Sequence, residues 1–343
     1  MAAAPYEDVA IITGASSGLG LGTTAAICKK DGWRVIAAVR SPEKMQLALA
    51  EKGIDPSRVK IVKCDLNDLA DVRAFAADFK KSEECAKLRT LICNAAVYYP
   101  NATKPTFSKD GYEECVQVNH LAHVLLAEDL LPEIEKSKGL KRCVIVGSVT
   151  GNTNTVAGQV PPRADIGDLA GFKAGFKGGD AMGGAMIDGD RFIGPKAYKD
   201  AKLCNMLSVK EMHKRYHDST GVSFTTMYPG CIADTPLFRN HTAFFKWFFP
   251  ILQKNITKGY ISAEEAGERL ASVATAPEYD QSGAYWVWKS GGDQLWANYN
   301  DDDRSTAYDQ DRFKAAENTQ LQSDMYDESL KLVGLEARVP ATV

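Results

Sequence analysis

The stretch that most constrains this chain is Val9-Ala10-Ile11-Ile12-Thr13 running directly into Gly14-Ala15-Ser16-Ser17-Gly18-Leu19-Gly20. An apolar, β-branched run that meets glycines spaced G-x-x-x-G-x-G and then turns amphipathic reads as a strand, a tight turn and a helix of about 12 residues through Lys30. Glycine lets the backbone turn sharply and approach a pyrophosphate, while the helix N-terminus offers unpaired N–H groups and a partial positive charge. Gly14, Ser16, Ser17, Gly18, Leu19 and Gly20 are therefore read as a dinucleotide-binding turn. A glycine-rich turn without a ligand is the alternative, and its place directly after the first strand argues against it.

The rhythm that follows sets the fold class. Apolar runs at 34–39, 59–64, 90–93 and 142–146 alternate with amphipathic segments near 68–81 and 112–136, and runs at 222–227 and 284–288 supply two later strands. Continuous apolar strands suit a sheet covered on both faces, and right-handed crossovers make it parallel. The expectation is an α/β protein built on a doubly wound, Rossmann-type parallel sheet with helices on both faces, its ligand lying beyond the carboxyl ends of the strands. With 343 residues, 45% hydrophobic and 25% charged, the composition is that of a globular protein, and the length allows one large domain or two.

Three stretches interrupt the alternation. Residues 151–196 are rich in glycine (Gly171, Gly175, Gly178, Gly179, Gly183, Gly184) and are read as an inserted active-site loop. Residues 236–260 carry Phe244-Phe245-Lys246-Trp247-Phe248-Phe249-Pro250, an aromatic lid or surface segment. Residues 290–328, with Asp301-Asp302-Asp303, read as a polar acidic excursion before a last helical piece ending near Gly334. These are elaborations on a single domain covering 1–343.

Several function classes recede. A net charge of −3 gives no electrostatic footprint for nucleic acid. Cysteines 28, 64, 85, 93, 115, 143, 204 and 231 contain no C-x-x-C pair, so neither zinc nor a disulfide framework is expected. His213 and His217 stand at i, i+4 without a third ligand and are read as a solvated helix face, with no metal. No apolar run approaches the roughly 18 residues of a spanning helix, and no signal peptide pattern opens the chain.

Chemistry concentrates at the strand ends. Arg40 ends the second strand where an acidic residue would hold a ribose 2′-hydroxyl, and with Lys44 one helical turn on it points to the 2′-phosphate of NADPH. A surface arginine is the alternative. Asp65, with Leu66, follows the third strand as an acceptor for an adenine amino group, and Asn94-Ala95-Ala96 keeps small residues past the fourth. Tyr198-Lys199-Asp200-Ala201-Lys202 places a phenol and an ammonium one turn apart on a helix face. A nearby ammonium lowers a phenol pKa that starts near 10 and makes a proton donor usable near neutral pH. Asn119 in the preceding helix and Ser148 at the end of the fifth strand complete the set.

With these residues the chain resembles the short-chain dehydrogenase/reductase family, whose Asn, Ser, Tyr and Lys tetrad falls on Asn119, Ser148, Tyr198 and Lys202. Ser148 and Tyr198 lie 50 residues apart, farther than the family usually places them, which sets the 151–196 insertion above the active site, over a large substrate. Longer runs at 147–152, 186–189, 196–206, 228–233 and 257–260 resemble one branch of that family, the light-dependent protochlorophyllide oxidoreductases. That resemblance implies NADPH as hydride donor, protochlorophyllide as substrate, and reduction of its C17–C18 double bond with Tyr198 as proton donor and Lys202 as its tuner. It also implies Cys231 as runner-up donor, Pro229, Gly230 and Ile232 at the cofactor, and Thr150, Tyr228, Phe238 and His241 at the substrate. Asn119 is expected to position a water or the backbone near Lys202, and Ser148 to shape the pocket. Departures are small: Ala201 and Ala122 replace a serine and a glycine usual in the branch.

The resemblance further implies a plastid or a cyanobacterial cytoplasm and contact with thylakoid lipid through an exposed aromatic segment; a second copy of the chain is a further candidate partner. The rivals are a dark reductase of a bulky carbonyl compound, in which Ser148 would hold an oxyanion, and a non-enzymatic pigment scaffold.

Overall fold

The computed structural model describes residues 6–176, 184–233, 235–255, 260–288, 305–306 and 318–336, with the backbone alone for 236, 243–246, 252–253 and 305–306. Strand β1 (Asp8–Thr13) alternates its side chains between two apolar layers. Val9 and Ile11 enter one cluster with α3 (Leu69–Lys80), α5 (Ala122–Glu135) and α8 (Gly194–Thr220). Ala10 and Ile12 enter the other with α1 (Gly18–Cys28), α2 (Pro42–Lys52) and α10 (Ala263–Thr275). Burial on both faces is why the strands read as continuous apolar runs.

Beside β1 lie β2 (Trp33–Val39), β3 (Val59–Lys63), β4 (Leu88–Cys93), β5 (Arg142–Val146), β6 (Ser223–Tyr228) and β7 (Ala284–Val287), in the order β3-β2-β1-β4-β5-β6-β7 and all parallel. The two-residue β8 (Ser305–Thr306) adds an antiparallel edge on β7. Strand ends moved by one or two residues from those expected, because a sequence run marks burial and not the last ladder bond.

Helices α1 and α10 cross with almost no separation. A Cβ placed on Gly22 would stand 2.2 Å from the Ala263 carbonyl oxygen, and one on Gly267 would stand 2.2 Å from the Gly22 carbonyl carbon. Only glycine at both points permits this approach.

Before α5 the chain forms α4 (Glu114–Val116) and then a π-helical turn, Gln117–Leu121. Within that turn the Asn119 carbonyl accepts from Asn205 Nδ2 at 2.8 Å and His123 Nδ1 at 3.1 Å.

Three expectations are corrected. The insert is not an unpatterned loop: it forms α6 (Val156–Gln159) and α7 (Ala170–Lys173), ends where α8 begins at Gly194, and sends Phe172, Met186, Ile187 and Phe192 into the main core. Gly178, Gly179 and Gly183 lie outside the described residues. The 290–328 segment is not wholly a solvated excursion, since α11 (Thr319–Leu332) starts inside it and buries Met325, Tyr326 and Leu330. Asp301, Asp302 and Asp303 are outside the described residues. His213 and His217 are half-buried and not a solvated face: His213 Nδ1 meets Ser282 Oγ, and His217 Nδ1 donates to the Val222 carbonyl, each at 2.9 Å.

Candidate active site

A cleft of about 590 Å³ runs along the carboxyl ends of the sheet, lined at one end by Arg40 and Lys44 and at the other by Tyr198, His241 and Phe249. At its floor is the glycine turn. Ser17, the residue before α1, is extended and makes no side-chain cap, so the first N–H groups of α1 stay open to an anion. Gly20 is required by contact, because a Cβ there would stand 2.4 Å from the Gly14 carbonyl oxygen and 2.6 Å from Asn94 Nδ2. The turn is latched to β4 through Thr13: its hydroxyl accepts from the Asn94 and Ala95 N–H groups at 2.9 and 3.0 Å, and Asn94 Nδ2 donates to the Thr13 carbonyl at 2.9 Å.

Arg40 and Lys44 are exposed at the rim. Between them Ser41 caps α2 by accepting from the Lys44 N–H at 3.3 Å. Asp65 lines the cleft past β3, as do Leu66, Ala95 and Ala96, and its carboxylate accepts from the Asn67 N–H at 3.1 Å. An uncapped helix N-terminus and two cations lining the cleft where the second strand ends, with Glu43 turned to the Ser41 hydroxyl and not among the lining residues, fit a dinucleotide bearing an additional phosphate.

At the other end, α8 brings Tyr198 and Lys202 onto one face, both buried. Burial pushes the Tyr198 phenol well above its ordinary range and the Tyr98 hydroxyl adds to this, while a hydrogen bond with Ser148 opposes it. Lys202 Nζ donates to the Val146 carbonyl at 2.8 Å and stands 5.9 Å from the centre of the Tyr198 ring. Burial pulls the ammonium down to about 8, with Cys93 acting the other way. Burial is the largest influence on the phenol and holds Tyr198 in its protonated form.

Ser148 Oγ pairs with Thr150 Oγ1 at 2.9 Å. Asn119 Oδ1 accepts from the Val97 N–H at 2.8 Å and its Nδ2 donates to the Val97 carbonyl at 3.0 Å, while its backbone carbonyl accepts from Asn205 of α8; its side chain thus grips the loop after β4, and Asn119 does not itself line the cleft.

Thr150, Tyr228, Pro229, Gly230, Cys231, Ile232, Phe238 and His241 all line the cleft. Cys231 is half-buried, and its carbonyl accepts from the Ile261 N–H at 3.1 Å. An aromatic row forms the wall: Tyr198 to Tyr98 at 4.6 Å between ring centres, Tyr98 to His241 at 5.3 Å, His241 to Phe238 at 5.6 Å and Phe238 to Phe249 at 5.4 Å. Phe249 belongs to α9 (Ala243–Asn255), which leaves Trp247, Phe248 and Ile251 at 66%, 38% and 41% exposure. Side chains of Phe244, Phe245 and Lys246, and residues Thr257, Lys258 and Gly259, are outside the described residues.

Of the insert, Ala157 and Val160 line the cleft. The insert is tied to α8 by Lys196, whose Nζ lies 2.6 Å from both Asp188 and Asp200. Burial opposes the Lys196 charge, but the two carboxylates outweigh it and hold the ammonium above its ordinary value. Sequence reasoning missed Ser41, Tyr98 and Lys199 as lining residues. Ser41 was detectable as a serine before Pro42 at a helix start, and Lys199 stood inside the Tyr198–Lys202 motif. For Tyr98 only its nearness to Asn94 was a signal.

Residues 8–161 match the model of the short chain dehydrogenase family. A protochlorophyllide reductase of Marchantia paleacea is 49% identical over 82% of this chain and 61% of its own length. A protochlorophyllide reductase B of Hordeum vulgare is 47% identical over 95% of this chain and 78% of its own, and both are named as chloroplastic. Among solved structures, an NADPH-bound carbonyl reductase from chicken fatty liver shares the fold, with a TM-score of 0.54 at 19% identity over 82% of this chain and 96% of the other. Carrying the cleft, the tyrosine and the lysine on this sheet, the chain belongs to the protochlorophyllide reductase family within the short-chain dehydrogenases.

Proposed function

We infer that this chain is an NADPH-dependent reductase that converts protochlorophyllide to chlorophyllide in a light-driven step of chlorophyll synthesis. Supporting this is 47% identity to a protochlorophyllide reductase across 95% of the chain, together with a cleft that joins a phosphate-receiving rim to a buried, protonated Tyr198.

NADPH, when bound, supplies the hydride that goes to C17. Tyr198 gives the proton to C18, so that hydride and proton together saturate the double bond. Its raised pKa keeps the proton in place until the transfer, and the Lys202 ammonium, one turn away, is the charge available to the phenolate left behind. No oxyanion forms on a carbon–carbon bond, so Ser148 serves by hydrogen-bonding the phenol and fixing Thr150. Cys231 stands on the substrate side as the second candidate donor. Arg40, Ser41 and Lys44 hold the 2′-phosphate, the N-terminus of α1 the pyrophosphate, and Asp65 the adenine side.

The chloroplastic relatives support a plastid location. No described helix is long and apolar enough to cross a membrane. The exposed Trp247, Phe248 and Ile251 support a peripheral contact of α9 with a thylakoid lipid surface.

The test is a flash experiment on the protein with NADPH and protochlorophyllide. Chlorophyllide absorbance appears after illumination and not in the dark; its absence after the flash, or turnover without light, overturns the reading.

A further inference from the structure

Lys199 takes no part in the chemistry above, yet it is a cation in the cleft wall with only 6% of its surface exposed. Its Nζ donates to the Val160 carbonyl at 2.7 Å. An ammonium carries three N–H donors, so this bond leaves two to be satisfied in a buried wall. The carboxylate that bears on it, Asp200, is already held by Lys196 Nζ at 2.6 Å and by the Asp165 N–H at 2.8 Å. Burial accordingly pulls the Lys199 ammonium below its ordinary value. A buried ammonium whose nearby carboxylate is already engaged by other donors is costly, and a ligand anion in the cleft completes the pair.

The chemistry of the ligand is narrowed by the rest of the lining. Asp65, beyond β3, is the acidic residue among the described lining residues, and at this end Tyr198, Val160, Ala157, Phe238 and Phe249 give aromatic and aliphatic surface, among which the basic side chains are Lys202, Arg239 and His241 besides Lys199. The matching group is a single carboxylate on an otherwise apolar molecule. Protochlorophyllide is a free acid whose one propionate hangs from C17, a two-carbon tether from the double bond that is reduced. A residue adjacent to Tyr198 in sequence and sharing its cleft is in place to meet that carboxylate while the phenol faces C18.

We propose that Lys199 is a specificity-determining residue that pairs with the propionate carboxylate of the substrate, an assignment that rests on the functional reading given above. The Val160 carbonyl holds the ammonium in the wall, so the insert contributes to selection of the free acid.

The test is dark binding, read from the pigment absorbance shift in the presence of NADPH, for protochlorophyllide and for its propionate methyl ester. Wild-type protein binds the acid about tenfold or more tightly than the ester. Lys199→Met binds both alike, near the ester's affinity, and Lys199→Arg recovers a preference for the acid. NADPH binding, followed by its fluorescence, stays within about twofold in each variant, which shows that the fold is intact. Equal affinity of the wild type for acid and ester, or an undiminished preference in Lys199→Met, overturns the proposal. Failure of the wild type to bind either pigment overturns the functional reading as well, and so is told apart from failure of this inference alone.

Discussion

Lys202 Nζ stands 5.9 Å from the centre of the Tyr198 ring and spends its 2.8 Å hydrogen bond on the carbonyl of Val146, the last residue of β5. The lysine is thereby anchored to the sheet, one helical turn from the phenol. Tyr198→Phe is expected to lower the yield of the proton-transfer step on the order of 10²- to 10⁴-fold and to leave pigment and NADPH binding within about twofold, as measured by flash-induced absorbance and by titration. Because burial brings the Lys202 ammonium down to about 8, the proton-transfer rate falls as pH rises through that value. Lys202→Arg, which stays charged, removes this limb from the pH profile whatever it does to the maximal rate.

Arg40 directly follows β2 and lines the cleft with Ser41 and Lys44. Arg40→Ala is expected to weaken NADPH by about 10- to 100-fold and NADH by less than about threefold, since a charge-assisted phosphate contact is lost in one case and absent in the other. Equilibrium titration of both cofactors checks the difference.

Glu113 is fully buried and caps α4 by accepting from the Val116 N–H at 2.9 Å. Burial pushes its carboxyl up to about 7, and the neighbouring Glu114 adds to this against the backbone bonds. Its folded pKa lies above the unfolded one, so the stability it contributes is present below about pH 4.5 and is lost as pH rises through about 7. Glu113→Gln keeps the acceptor without the charge. Between pH 5 and 8 the wild type is expected to lose on the order of 2–3 kcal/mol more than this variant in chemical denaturation.

Trp247 is 66% exposed on α9, with Phe248 and Ile251 also open. Trp247→Ala is expected to reduce co-sedimentation with galactolipid and phosphatidylglycerol vesicles several-fold while leaving the flash yield in solution unchanged. Unchanged sedimentation would remove the lipid role from α9.

Much of this protein could be read from its chain, for reasons visible at particular residues. Val9 to Gly20 show the strand, the turn and the helix because local sterics and burial act within a few residues. Arg40, Tyr198 and Lys202 follow because strand ends and helical spacing place them. What could not be read depends on contacts between distant segments. Asn119 reads as a site residue by its place before α5, yet its side chain is taken up by both backbone groups of Val97 and it lines no part of the cleft, which only the packed chain shows. Phe172 and Ile187 sit in a glycine-rich stretch without periodicity, and only the packed chain shows them in the core. Helical spacing puts Tyr198 and Lys202 on one face, but it does not say which carbonyl the ammonium bonds, here that of Val146.

The crossing of α1 and α10 has a consequence for how this enzyme responds to substitution. Gly22 follows the pyrophosphate turn by two residues, whereas Gly267 stands on the helix that opens just after Ile261, the residue hydrogen-bonded to Cys231. A methyl group at either glycine pushes the two helices apart, and with them the floor of one half of the cleft and the strut of the other. Gly267→Ala is therefore expected to weaken NADPH binding and to disturb the pigment side together, in a titration of each. A survey of variants would score Gly267 as a cofactor residue although it lies some 250 positions from the turn and lines no part of the cleft.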